Sequence, residues 1–549
     1  MASFVRISVL IWADLLAAFA MYVMMTYLTN VWNLSTTHAA GIINIWNGIT
    51  PVLVIMFAFI VDAFLGDFNM LVISSISYSI GLGLLSMSTP PVFGPCNDYK
   101  EKCIGNTQKV LFYISLPLIA VGMAGHVVSL ASFLELQTKV ENEEKEKVEA
   151  KEGEGDKDEM KILWQIPGLI MVVVVLIAGG IGLPYIKPWS IRFGIPAICT
   201  LVATILFLTG FKDYKRIKPI GSPLTITLRV FVAASLNISQ PKPDYKQLNN
   251  EDGVRSTSSL RCLDKAAIKL PDMHESEKWK VCNVREVEDT KIGIRMLPMW
   301  LTFIVIGIVL SIGNTYFLEQ ANHLDKKIGK IKVTIPIFLL FYNATSYVST
   351  YFYSFLTKSL PSKKYAPPVG IATGMIISVL CCITSAKVET RRLNRIRVHG
   401  LVDKPDEMIP MSIFSLLPQF MLLAAVDGIS NTSISSFFKH QTPESMHKYL
   451  GHFTKGVLGL GSMASVLSVY VGGKVSEKND KPNWFQFSLN RSHLDRYYWV
   501  LAALSAANLV VYVVIALFYK YKESPDDVDE GEGGQMDPGF NDNAKFCCC

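Results

Sequence analysis

The chain has 549 residues, of which 50% are hydrophobic and 18% charged, with a mean hydropathy of +0.32. A soluble chain of this length would carry more charge and fewer long apolar runs. A formal net charge of +6 is small for this size and gives no footing for a nucleic-acid partner.

Taken in chain order, the apolar residues gather into blocks of roughly 20, the length that crosses about 30 Å of hydrocarbon. The first block, Ile7–Tyr27, is too long and too aromatic for a signal peptide and reads as a retained span. Twelve spans are expected, near 5–28, 38–62, 68–88, 110–135, 164–186, 191–210, 297–318, 334–356, 368–387, 409–432, 450–473 and 496–519. The eighth and tenth are interrupted by Asn343, Ser346, Asp427 and Asn431. Cys96 and Cys103 share one short loop and would pair if that loop faces an oxidising compartment, while Cys381 and Cys382 lie inside an apolar block and read as packing residues. Lys139–Lys161 mixes Glu and Lys with almost nothing apolar to bury, and reads as a solvated loop with an exposed helix as the alternative.

The longest polar interval, about Phe211 to Lys291, divides the spans six and six. Its Lys and Arg residues (Lys212, Lys215, Arg216, Lys218, Arg229, Lys265, Lys269, Lys280) place it in the cytoplasm by the positive-inside rule, together with both termini. Lys358, Lys363 and Lys364 agree. Lys387–Arg397 is basic on the wrong side of this count, and is read as capping the ninth span by snorkelling. The expected organisation is therefore an N-terminal bundle over 1–210, a cytoplasmic central loop over 211–296, a C-terminal bundle over 297–519 and a disordered acidic, Gly-rich tail over 520–549. The tail ends in Cys547, Cys548 and Cys549. A prenylation box needs cysteine where Phe546 stands, which leaves S-acylation or no modification. Asn33-Leu34-Ser35 and Asn490-Arg491-Ser492 are glycosylation sequons on the expected outer side.

Several segments carry a family resemblance. Phe193-Gly194-Ile195-Pro196 is followed by Pro219-Ile220-Gly221-Ser222-Pro223-Leu224, then Cys262-Leu263-Asp264-Lys265-Ala266-Ala267 and Val287-Glu288-Asp289. Leu297-Pro298-Met299-Trp300, Leu417-Pro418-Gln419-Phe420 and Leu489-Asn490-Arg491-Ser492-His493-Leu494-Asp495 complete the set. Spread over nearly the whole chain, they resemble the plant nitrate/peptide transporter family, the proton-coupled oligopeptide transporter branch of the major facilitator superfamily. The resemblance implies an all-α polytopic membrane protein with the major facilitator fold: about twelve helices in two six-helix bundles, with a solute site near the membrane midplane.

Charges within spans are costly, and each is a functional candidate. The family's Glu-x-x-Glu-Arg/Lys motif on the first span reads here Leu10, Ala13 and Asp14, so both glutamates are missing and an acid holds the basic position. On the fourth span the family's lysine is absent and His126 stands beside its place; a histidine there can relay a proton or attract an anion. Facing each other, Asp14 and His126 would replace the missing coupling pair. On the seventh span Asn314 and Thr315 are polar, Leu310 stands where nitrate-transporting members have histidine, and Glu319 is either a solvated helix end or a gate residue. Asp427 matches a glutamate of the family and would bind a cationic group, take part in gating or accept a proton. Asp62-Ala63-Phe64-Leu65-Gly66-Asp67 resembles the superfamily motif between the second and third spans, with Asp67 where a base is usual, giving Asp62 and Gly66 a conformational role.

The expected activity is secondary transport of a small polar solute by alternating access, most readily nitrate or another anion, with altered or absent proton coupling. A peptide or plant-metabolite transporter and a non-transporting sensor are the alternatives. The chain has no phosphate-binding loop, metal cluster or nucleophile–base pairing recognisable by spacing, and neither an enzyme nor a cofactor is expected. The partners are the solute, protons and the bilayer, in the plasma or the vacuolar membrane.

Overall fold

Residues 2–94, 96, 98–149, 170–219, 221–238, 260–267, 282–328, 331–358, 365–478, 482–519 and 521 are described by the computed structural model. Helices dominate them, because a chain crossing hydrocarbon must satisfy its own backbone N–H and C=O groups. In order the spans are Phe4–Asn30, Thr36–Ile60, Gly66–Met87, Asn106–Glu149, a fifth described from Ile170 to Tyr185, Trp189–Thr209, Leu297–His323, Ile337–Lys358, Ala366–Val398, Leu417–Gln441, Leu450–Ser476 and Leu494–Phe518. The interrupted eighth and tenth blocks thus form helices as long as the others.

Two expectations change. The Glu/Lys segment does not begin as a loop: the fourth helix continues through it to Glu149, with Glu135 and Lys139 paired one turn apart at 2.7 Å as helical spacing favours. The rest of that segment lies outside the described residues, as do the acidic tail and its cysteines. The basic Lys387–Arg397 stretch keeps Lys387, Arg391, Arg395 and Arg397 exposed, and Arg392 alone departs from a snorkelling cap. The stretch continues the ninth helix, and Arg392 turns inward, without exposure, to form two hydrogen bonds with Glu389 at 2.7 and 2.8 Å. Gln320 of the seventh span donates to Glu389 at 2.6 Å, and Gln419 of the tenth donates to Gln320 at 2.9 Å. Arg392 also donates to the Leu489 carbonyl and to Asn490 Oδ1, so four stretches of the second half meet on one ion pair.

That arrangement corrects the reading of the second sequon. Asn490 is only 4% exposed and its amide donates to the Leu401 carbonyl at 3.0 Å, which leaves the folded protein no free amide for a glycan. Asn33 is exposed and donates to Glu101 at 2.9 Å. Cys96 and Cys103 are joined as a disulfide, and Cys381 and Cys382 are buried among apolar neighbours.

The interval between the halves contains folded structure. Helices Pro223–Leu236 and Val284–Arg295 flank a short 3-10 turn, Leu263–Ala267. Val230, Ala233, Leu263, Ala266, Cys282 and Val287 make a small core among them. Within it Lys291, wholly buried, pairs with Asp264 and, at 2.7 Å, with Glu288. Two acidic members of the family segments, Asp264 and Glu288, are therefore structural here.

The halves pack most extensively through the second and eleventh spans. Gly48 and Gly459 touch backbone to backbone: a β-carbon at Gly48 would stand 2.6 Å from the Gly459 carbonyl oxygen, and one at Gly459 would stand 2.9 Å from that of Gly48. Neither position has room for a side chain. Replacing Gly48 with Leu is expected to leave each half folded and to reduce solute flux at least about tenfold, since the overpacking, about 1–3 kcal/mol, falls on a close contact between the halves. Flux at wild-type rates by a Gly48→Leu protein of normal membrane abundance would refute this.

Candidate transport pathway

Between the halves lies a cavity of about 260 Å³. Tyr22 of the first span, Trp46 and Asn47 of the second, Asn314 of the seventh and Tyr342 of the eighth supply its polar and aromatic groups. Met21, Met24, Met123, Leu310, Phe420 and Leu423 supply much of its apolar wall. No charged side chain lines it among the described residues. Asn314 sits in a π-helical turn, Gly313–Phe317, that interrupts the seventh span; such wide turns recur at functional sites. The Trp46 indole N–H donates to the Leu116 carbonyl at 3.0 Å, fixing the ring. Asn44, on the same span, faces elsewhere and donates to Ser465 of the eleventh span at 3.0 Å.

Asp14 and His126 meet. Both carboxylate oxygens lie 2.9 Å from His126 Nδ1, and His126 Nε2 lies 2.8 Å from Ser75 Oγ. The imidazole is 3% exposed, with Tyr78 edge-on at 5.6 Å between ring centroids. An ionised Asp14 requires the proton on Nδ1. Nε2 then accepts from Ser75 when the ring is neutral, or donates to it when the ring is charged. The serine hydroxyl rotates to suit either state, so one set of partners serves both. A groove of about 570 Å³ reaches the pair between the first and fourth spans, past Phe4, Leu130, Leu134, Glu135 and Thr138. It shares no lining residue with the central cavity.

Asp427 is partly exposed and accepts from Asn431 at 2.6 Å. It does not line the cavity, but it engages Tyr342, which does, and is within electrostatic reach of Lys455 on the eleventh span.

Contacts join the halves on both faces. On the face that carries the central segment, Asp62 accepts from Lys448 Nζ at 2.6 Å and from the Tyr449 hydroxyl. The motif's missing base is thus supplied from the other half, at the start of the eleventh span. Ser222 is within 2.8 Å of the same tyrosine hydroxyl, and the Gly221 N–H donates to the Asp62 carbonyl at 3.0 Å. Asp62 stands in a π-helical turn, Val61–Leu65, which Gly66 ends at φ +73°, a conformation that costs other residues about 1 kcal/mol or more. Asp67 turns back into its own half to accept from Ser132 at 3.1 Å. On the opposite face, Thr29 donates to Glu319 at 3.0 Å and Asn322 donates to Asn30 at 3.0 Å. Glu319 is 3% exposed and also meets His323 Nε2 at 3.0 Å. It is no solvated helix end.

Lys448 and Lys455 were not anticipated from the sequence. The signal available was charge in the opening turns of an apolar block, the usual appearance of an interfacial cap.

Two helical halves around a central cavity, closed by hydrogen bonds on either face, define a membrane transporter of the major facilitator type. The sequence profile of the POT family matches residues 68–481, and the chain belongs to that family. It is 36% identical over 530 residues to Protein NRT1/PTR FAMILY 5.5 of Arabidopsis thaliana, covering 94% of this chain and 96% of that protein. It is 29% identical to Protein NRT1/PTR FAMILY 5.4 of the same plant, over 93% and 92% of the two chains. Among solved structures it is similar to an auto-inhibited POT family peptide transporter, with a TM-score of 0.64 at 14% identity over 95% of this chain and 98% of the other. It is also similar to the POT family transporter PepTSo, with a TM-score of 0.61 at 15% identity over 94% and 97%. At these identities the structural likeness speaks for the fold.

Proposed function

We propose that this transporter moves a small solute by alternating access, with nitrate or a comparable small anion as its cargo and the Asp14–His126 pair as an altered proton-coupling site. The central cavity carries the reading. Its volume, about 260 Å³, lies below the roughly 300–1,000 Å³ of sites for drug-sized ligands. The two charged ends of a peptide would find no counter-charge on its described walls. A flat anion with delocalised charge loses less on leaving water, and can take hydrogen bonds from the Asn47 and Asn314 amides and the Tyr22 hydroxyl. The mostly apolar wall supports a second reading, an uncharged plant metabolite with an apolar body.

The segment at 211–296 lies in the cytoplasm on this reading, by its Lys and Arg content, with the chain in the plasma or vacuolar membrane. The Asp62–Lys448 latch then opens for cytoplasmic access and the Thr29–Glu319 contact for access from the other side. Labelled nitrate uptake into vesicles, with a pH gradient imposed and then abolished, is the test. Accumulation that follows the gradient supports coupled transport. Flux that merely runs down the nitrate gradient makes the protein a facilitator. Correctly inserted protein with no nitrate flux sinks the anion reading and moves the search to uncharged solutes.

A further inference from the structure

The central cavity offers an anion no cation among the described residues, and a lysine stands on the eleventh span, whose Gly459 touches Gly48, the neighbour of the cavity-lining Asn47. Lys455 lies in the second turn of the eleventh span and is exposed, with no hydrogen bond or ion pair to any described residue. It is one helical turn before Gly459, whose missing side chain lets that face of the helix touch Gly48 of the other half. Residues three and four apart share a helix face, so His452, Lys455 and Gly459 form a line directed at the gap between the halves. Next to Lys455, Thr454 turns the other way and meets Ser435 of the tenth span at 3.3 Å. Lys455 acts electrostatically on Asp427 and on His452. Asp427 in turn neighbours Tyr342 on the cavity wall. Lys448, at the head of the line, is already engaged by Asp62.

We propose that Lys455 is the anion-binding residue of this transporter, holding a small monovalent anion at the approach to the central cavity, with Asp427 as the resident counter-charge that the anion must outcompete. The inference rests on the anion reading above and adds to it the residue that recognises the charge. An accessible ammonium in the second turn of a span, held by no hydrogen bond among the described residues, is available to a passing anion. A charge-assisted hydrogen bond to the anion contributes about 1.5–3 kcal/mol, a factor of roughly 10 to 100 in affinity.

The test is nitrate uptake into vesicles by wild-type, Lys455→Gln, Lys455→Arg and Asp427→Asn proteins, reading KM and maximal rate separately. Lys455→Gln should raise KM at least about tenfold with the maximal rate little changed, and Lys455→Arg should keep KM within about threefold. Asp427→Asn, which removes the competing charge, should lower KM; a purely structural role for either residue gives no such opposite shifts. Nitrate transport with an unchanged KM in Lys455→Gln overturns the assignment and leaves the anion reading standing. A raised KM in Asp427→Asn also overturns it, and decides the matter where Lys455→Gln fails to insert. A wild-type protein that carries uncharged solutes and no nitrate removes both the assignment and the anion reading.

Discussion

Replacing Asp14 with Asn is expected to bring gradient-driven solute accumulation down to the level measured without a pH gradient, a loss of at least about tenfold, while exchange down the solute gradient persists. Asparagine keeps the shape of aspartate and can still meet the His126 ring, but it neither takes a proton nor balances an imidazolium. His126→Gln is expected to have the same effect, because the two groups act as one unit at 2.9 Å. The double variant should therefore be no worse than either single one, the non-additivity that contact produces. Only a few other groups reach the pair. Ser75 completes its hydrogen bonding, Tyr78 packs on the ring and senses Asp14, and Glu135 stands on the groove that leads to it. Wild-type dependence on the pH gradient in both single variants would sink the coupling role.

Replacing Arg392 with Met is expected to destabilise the second half by about 3–5 kcal/mol, the cost of breaking a buried ion pair by removing one partner. Neither Arg392 nor Glu389 has any exposure, and without the guanidinium Glu389 keeps only the Gln320 amide as a described partner. Asn490 and the Leu489 carbonyl lose their donor at the same time. The measurement is the midpoint of thermal unfolding in detergent together with membrane abundance. Glu389→Gln combined with Arg392→Met removes the stranded charge and should recover a large part of the loss. An Arg392→Met protein as stable as wild type would show that the network carries no such weight.

Much of the fold was legible because hydrocarbon permits few solutions: a run of about 20 apolar residues is a helix whatever its neighbours. The eighth and tenth spans were harder, since Asn343, Ser346, Asp427 and Asn431 lower the apolar signal, although Asp427 and Asn431 satisfy each other one turn apart. Asp14 and His126 were legible as isolated intramembrane charges. Their meeting was not, because 112 positions separate them and no local pattern encodes how the first and fourth spans are rotated. Lys448 and Lys455 were hidden by resemblance to an ordinary interfacial cap. Asn490 read as a loop asparagine because its burial depends on Arg392, a residue 98 positions away that itself read as surface charge. The continuation of the fourth helix was half visible in its Glu–Lys spacing; composition pointed toward solvent, and helical pairing decided the local conformation.

The contacts of Gly221 with Asp62 and of Ser222 with Tyr449 make the central segment more than a tether. It grips both sides of one latch, and it is itself stiffened by the small core around Lys291. A protein that seized this core from outside would act as a brake: it would slow turnover without competing with the solute, and saturating solute would not relieve it. Cutting the chain within the segment and coexpressing the two halves would release the same brake from the opposite direction.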